Sequence, residues 1–224
     1  MKIRLGASSG EWKAMVADEA ARTTFAKNIK TVLEKNKLDG IDLDFEWAEN
    51  EKEYKDYSLA ILKMREVLGD KYLFSVSLHP VCYKISKEAI EAVDFISLQC
   101  YGPSPVRFPI EKYCSDIQMV LEYGIPREKL VAGVPFYGVT KDNSKKTEAY
   151  FNFVQNGLVT SPAQNEVIYQ GDTYVFDGQD NIRIKTRYAK EQKLKGMMSW
   201  DLATDLPLSD SRSLLKTMTE ELRE

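Results

Sequence analysis

Apolar residues recur along this chain at two spacings, every second position and every third or fourth, and the two take turns from one end to the other. Lys2–Ala7 predicts a short strand running into the flexible turn Gly6-Ala7-Ser8-Ser9-Gly10. Phe25, Ile29, Val32 and Leu33 then fall at helical spacing between Asp18 and Asn36, with Asp18 and Glu19 at the end where a helix favours acids. Leu38–Trp47 alternates and predicts a strand, and Tyr57, Ile61, Met64 and Leu68 predict the next helix, ended by Gly69. Tyr72–Leu78 is a third strand stopped by His79-Pro80, Ile85–Val93 a short helix, and Asp94–Tyr101 a fourth strand closed by Gly102-Pro103. Tyr113, Ile117, Val120 and Leu121 mark a helix that stops at Gly124-Ile125-Pro126. Lys129–Pro135 and Gly196–Trp200 are the fifth and sixth strands, and Leu214, Leu215, Met218 and Leu222 give the tail one apolar helical face.

Strands alternating with helices at these intervals predict an α/β fold of βα units, with a parallel sheet and right-handed crossovers. Residues 139–195 stand apart, with Val167–Tyr169 and Thr173–Phe176 set as a hairpin around Gln170-Gly171-Asp172. That segment is expected to be a loop insertion before the last strand, within a single domain spanning 1–224. Six parallel strands are two short of a (β/α)8 TIM barrel, and 224 residues fall below the ~250 typical of that fold. The expected architecture is therefore a partial barrel, with the shortfall at the N-terminus.

One strand carries unusual chemistry. Ile41, Leu43 and Phe45 alternate with Asp42, Asp44 and Glu46, so one face is apolar and the other presents three acids about 6.5–7 Å apart. Like charges in a row repel, and folding gains nothing obvious from them, whereas a site that needs coupled carboxylates gains a good deal. The bland alternative is a solvated edge strand with its acids in water.

Composition narrows the choice. The chain is 43% hydrophobic and 29% charged, as in an ordinary globular protein, and its net charge of -3 offers no basic field for nucleic acid. No apolar run approaches the ~18 residues of a membrane span, and Met1-Lys2-Ile3-Arg4 lacks the apolar core of a signal peptide. Cys82, Cys100 and Cys114 are an odd number without metal-ligand spacing, and His79 is the single histidine, which leaves almost no material for histidine-based chemistry.

Asp39, Asp42, Asp44 and Glu46 resemble the D-x-x-D-x-D-x-E signature of glycoside hydrolase family 18, the chitinases and related endo-β-N-acetylglucosaminidases. The likeness continues in order along nearly the whole chain. Ile3–Ser8 is similar to the family's third strand, Phe74–Pro80 to its fifth, and Gln99-Cys100-Tyr101 to its sixth-strand Gln-x-Tyr. Leu130–Gly138 is similar to the seventh-strand Gly-x-Pro-Phe-Tyr-Gly segment, Tyr174–Ala189 to the stretch before the last strand, and Gly196–Asp201 to the last strand with its tryptophan. No counterpart of the first two βα units is present, so these are expected upstream or from a partner chain. Gly102 stands where many members carry Asp, and no role is assigned to it.

The resemblance implies hydrolysis of β-1,4 linkages next to N-acetylglucosamine, with retention, the substrate's own acetamide acting as nucleophile. Glu46 would be the proton donor, kept protonated by the neighbouring like charge, while Asp44 steadies the oxazolinium and Asp42 tunes Asp44. Tyr101 would bond the acetamide carbonyl, and Trp200 would floor the sugar. Gln99, Asp39 and Tyr137 are further candidate substrate contacts, and Trp12 and Trp47 could stack on sugars. Asp39 reads equally as a turn residue and Gln99 as a buried amide. Tyr101 and Trp200 alone would read as core aromatics, but their strand-end placement beside the family motifs favours the site. Tyr137 could line the groove or pack, and His79 reads as a loop residue rather than a ligand.

No cofactor or metal is implied. Metal-binding barrels usually draw carboxylates from several strand ends, and the others here offer Pro80, Gly102 and Pro135. The expected partner is an N-acetylglucosamine-containing oligo- or polysaccharide, from chitin or an N-glycan, with a non-catalytic lectin-like barrel as the alternative. Relatives of this kind are mostly exported, so a secreted or periplasmic setting is expected from the resemblance alone.

Overall fold

The computed structural model describes residues 2–5, 9–102, 104–142 and 144–223. Gly6, Ala7 and Ser8 of the first expected turn, and Pro103 after the fourth strand, lie outside the described residues. The chain divides into two compact units, Met1–Leu98 with Val120–Leu130 and Gln99–Met119 with Val131–Glu224.

In the first unit, β1 (Lys2–Leu5), α1 (Ser9–Ala17), α2 (Glu19–Asn36), β2 (Gly40–Asp44), α3 (Glu51–Leu68), β3 (Leu73–Leu78), α4 (Lys87–Ala92) and β4 (Phe95–Leu98) follow in order. The four strands pair in parallel in sequence order, β1 to β2, β2 to β3 and β3 to β4. The expected pattern of βα units is thus present. Helix α2 starts where Asp18 accepts from the Ala21 amide, and α3 where Asn50 accepts from the Glu53 amide. The stripe on α3 is the predicted one, with Tyr57, Ile61, Met64 and Leu68 all buried. On α2 it is rotated: Ala26, Ile29 and Leu33 are buried while Val32 is exposed and Phe25 half-buried.

Helix α1 was not expected, because Ser9-Gly10 reads as turn and no polar face follows. Its core contacts are Trp12 and Val16, one turn apart. Trp12 packs against Phe25 at 5.6 Å and Phe45 at 5.8 Å and is 3% exposed, so the expectation that it stacks on a sugar is corrected: it is a core residue.

Helix α5 (Ile110–Tyr123) and β5 (Leu130–Pro135) lead into the second unit. There β6 (Tyr137–Thr140), β7 (Thr147–Ala149), α6 (Tyr150–Gln155), β8 (Glu166–Tyr169), β9 (Asp172–Val175), α7 (Gln179–Glu191), β10 (Gly196–Trp200) and α8 (Leu214–Arg223) follow. Strand β10 pairs in parallel with β5, Gly196 opposite Val131 and Trp200 opposite Pro135. The predicted hairpin is β8 with β9, turning at Gln170 (φ 52°) and Gly171 (φ 87°), two successive left-handed residues that suit a tight hairpin.

The insertion is larger than a hairpin, since β6 and β7 extend it to a four-stranded antiparallel sheet in the order β7-β6-β9-β8. Phe153 on α6 fills its core against Tyr174 and Phe176, each 5.4 Å away. On α8 the buried face is Leu214, Thr217, Met218 and Glu221, so the predicted Leu222 lies outside it.

Helix α7 buries a lysine. Lys185 Nζ donates to Asp177 Oδ2 at 2.6 Å and to the Phe108 carbonyl at 2.8 Å, and both charged side chains are 0% exposed. Removing one partner strands the other charge away from water. Asp177→Ala should therefore cost about 3–5 kcal/mol in urea unfolding, and Asp177→Leu combined with Lys185→Met should cost less than either single change.

Candidate active site

The acid strand sits inside the first unit. Along β2 one face carries Ile41 and Leu43, in register with Phe74 and Val76 of β3, and these are buried beneath α3, whose Tyr57 meets Phe45 at 4.8 Å just past the strand end. The other face carries Asp42 opposite Ser75 and Asp44 opposite Ser77, and Ser77 in turn lies opposite Ser97 of β4. Asp44 is 4% exposed, and Ser75, Ser77 and Ser97 are buried beside it on their strands. The acids are therefore not a solvated edge. They begin a polar row that crosses three neighbouring strands.

That row supplies the hydrogen bonds that a carboxylate drawn out of water needs, here to the half-buried Asp42. Ser75 Oγ donates to Asp42 Oδ1 at 2.5 Å and Ser77 Oγ to Asp42 Oδ2 at 2.7 Å, one hydroxyl on each oxygen. The Asp42 charge reaches the other face: burial first, and Asp42 second, push the Tyr57 hydroxyl well above its ordinary value. The serines were missed in the sequence, although Phe-Ser-Val-Ser-Leu places both on one face of β3 with the parity of the acids.

Pairing ends at Asp44, so Glu46 stands beyond the C-terminal end of β2, half-buried. It opens onto a cleft of about 550 Å³ lined by Glu46, Trp47, Ala48, Glu49, Tyr54 and Val81. Trp47 stacks on His79 at 4.4 Å, and the Ala48 amide donates to Cys82 Sγ at 3.2 Å. Burial pushes the Cys82 thiol up, with the Glu46 charge adding to the rise. Lys13 of α1 pairs with Glu49 at 2.7 Å and Glu53 at 3.1 Å on the rim. Among the described residues no group of His, Cys, Asp and Glu is arranged to hold a metal ion.

Asp39 is exposed in the bend before β2, seven residues from Glu46, or about 23 Å of extended chain. The neighbouring glycine has its own reason: a Cβ on Gly40 would meet the Leu73 carbonyl oxygen at 2.1 Å, so β2 and β3 approach too closely for any side chain there.

The second unit holds the remaining candidates. Gln99 and Tyr101 are buried, past the end of β4. The Tyr101 hydroxyl donates to Met198 Sδ of β10 at 3.7 Å, a weak acceptor, and its ring meets Tyr137 edge-on at 6.4 Å. Tyr137 is half-buried and touches Phe108 at 6.5 Å. Trp200, last on β10, is 41% exposed and so is not a core aromatic. The Glu46–Trp47 and Trp200–Asp201 peptide bonds are both cis.

The profile of the family described as "Glycosyl hydrolases family 18" matches residues 3–205. The chain belongs to that family. "Probable chitinase 2" of Drosophila melanogaster is 23% identical over 88% of this chain and 54% of that protein. The class V chitinase of Arabidopsis thaliana is 22% identical over 87% of this chain and 65% of its own length. The chain thus spans roughly half to two-thirds of these relatives. Among solved structures, the family 18 chitinase ChiB of Flavobacterium johnsoniae aligns with TM-score 0.80 and 26% identity, covering 98% of this chain and 74% of that one. A chitinase-like agglutinin of Robinia pseudoacacia aligns with TM-score 0.82 at 17% identity, covering 98% and 80%, a likeness of fold.

Removing both hydroxyls from the Asp42 carboxylate tests whether the polar row holds the family 18 strand in place. Ser75→Ala with Ser77→Ala should lower unfolding stability by about 3 kcal/mol, and adding Asp42→Ala to the pair should return part of that loss.

Proposed function

We propose that this chain is the part of a chitinase that cleaves β-1,4 bonds next to N-acetylglucosamine, in chitin or chitooligosaccharides, by retaining, substrate-assisted hydrolysis. The reading rests on one observation above all: Asp42 and Asp44 lie on a hydroxyl-lined polar face, and Glu46 follows at the strand end beside an open cleft. Membership of a glycoside hydrolase family and the similarity to chitinases support it. The six parallel-paired strands would be strands three to eight of a (β/α)8 barrel, whose sites form at the C-terminal strand ends.

In this mechanism Glu46 gives its proton to the glycosidic oxygen, and the carbonyl oxygen of the substrate's 2-acetamido group attacks the anomeric carbon as that bond breaks. The product is an oxazolinium ion, whose positive charge Asp44 faces, with Asp42 fixed behind it by the two serines. The Glu46 carboxylate then takes a proton from water, which opens the oxazolinium at the same carbon from the side the leaving group left. Two inversions give net retention. Tyr101 is assigned the acetamide carbonyl, Trp200 the apolar face of the sugar, and Gln99 and Tyr137 supporting contacts to substrate.

A lectin-like role without turnover is the second reading, because a chitinase-like agglutinin has the same fold. Retention of Glu46 argues against it. An endo-β-N-acetylglucosaminidase acting on N-glycans would use the same chemistry and differ only in the leaving group.

Glu46→Gln should lower hydrolysis of a fluorogenic chitobioside by at least about a thousandfold while chitotetraose still binds in calorimetry. Unchanged hydrolysis by that variant would remove the mechanism, binding without turnover by the unaltered chain would favour the lectin reading, and loss of activity to a chelator would point to a metal instead.

A further inference from the structure

Phe45–Glu49 follow the last paired residue of β2, and among the described residues no strand pairing continues through the stretch that carries Glu46. The turn after β3 takes over that task. It is closed by the His79 amide donating to the Cys82 carbonyl at 3.2 Å and the Cys82 amide donating to the His79 carbonyl at 2.7 Å. Tyr54 Oη donates to the Val81 carbonyl at 3.2 Å, which ties the turn to α3.

From this anchored turn two side chains reach the Glu46 segment. Cys82 Sγ takes the Ala48 amide, and the His79 ring lies against the Trp47 indole at 4.4 Å with 27° between planes. His79 is 6% exposed, and its Nδ1 accepts from the Val81 amide at 3.3 Å, so the ring is fixed by the turn that bears it. Trp47, next to Glu46 in sequence, lines the same cleft.

We propose that His79 is a positioning residue for substrate binding: by backing one face of Trp47 it makes the indole a fixed wall of the Glu46 cleft, against which a saccharide ring packs. His79 itself touches no sugar. The proposal rests on the reading of this cleft as a glycan site, and it explains a buried histidine that the hydrolytic mechanism leaves unused.

Two substitutions separate ring from acceptor. His79→Asn keeps an acceptor near the position of Nδ1 but removes the ring face, and His79→Phe restores the face without the acceptor. His79→Asn should raise the KM for chitobioside about tenfold, with kcat changing by less than KM does, and His79→Phe should bring KM back to within about threefold of the original. In the Trp47→Ala background, His79→Asn should add nothing, and a further loss there would overturn the proposal.

A readout independent of turnover is the indole N–H resonance of Trp47, assigned through Trp47→Phe. It should shift or broaden in His79→Asn and recover in His79→Phe, and an unchanged resonance in His79→Asn overturns the proposal whether or not the chain is active. If the unaltered chain neither cleaves nor binds chitotetraose, the glycan reading fails and the substrate role of His79 fails with it. The indole resonance then still reports the stack, which sets that failure apart from one of the stack alone.

Discussion

The carboxylates on β2 can face into the fold because the next strand sets hydroxyls opposite them, two of which bond the half-buried Asp42. Two carboxylate charges roughly 7 Å apart repel by about 2 kcal/mol at an effective dielectric near 20, before any cost of leaving water. A hydrogen bond to a charged group returns about 1.5–3 kcal/mol, and Asp42 accepts two. The hydroxyls are therefore enough to offset the repulsion between Asp42 and Asp44, though not by a wide margin. Parallel pairing makes the match automatic, because register partners share a face, and the register sets Asp42 against Ser75 and Asp44 against Ser77.

The same constraint shapes what surrounds the strand. The polar row occupies one face of β2, β3 and β4, and the alternate positions Ile41, Leu43, Phe74, Val76, Ile96 and Leu98 supply buried apolar side chains on the other. Gly40 permits the close approach of β2 to β3 at the start of this register. In the second unit the buried charges are handled differently: Lys185 and Asp177 neutralise one another directly, and the Phe108 carbonyl takes a further ammonium proton. A matched pair leaves neither charge for another partner, whereas the Asp42 carboxylate is held by neutral hydroxyls.

Most of the strands were legible because period-two alternation and turn residues are local signals. The acid motif was legible because four acids at fixed spacing have no packing rationale. What failed to show had no local period. Helix α1 presents Trp12 and Val16 to the core but has no polar face to set them off, and Ser9-Gly10 looks like a turn. Strands β6 and β7 are short and exist through pairing with each other and with β9, a non-local condition. Tertiary packing also rotated the buried stripes of α2 and α8, exposing Val32 and Leu222. At the site, Asp39 shares the motif but sits at the other end of the strand, and His79 reads as a loop residue because its partner, Trp47, is more than thirty positions away in sequence.

The position of Glu46 follows from where the sheet stops. A group inside the strand is held by backbone bonds on both sides, but Glu46, the proposed proton donor, lies past the strand end, where among the described residues no strand pairing continues. Misplacing a reacting group by about 1 Å is enough to cost on the order of a hundredfold in rate. Side-chain contacts must therefore supply the precision that the backbone no longer gives. Asp44 and Phe45 anchor the segment from behind, one on the polar face and one against Tyr57, while the His79–Cys82 turn holds it from in front through Trp47 and the Ala48 amide. The strand brings Glu46 to the cleft, and the turn after the next strand packs against the segment that carries it.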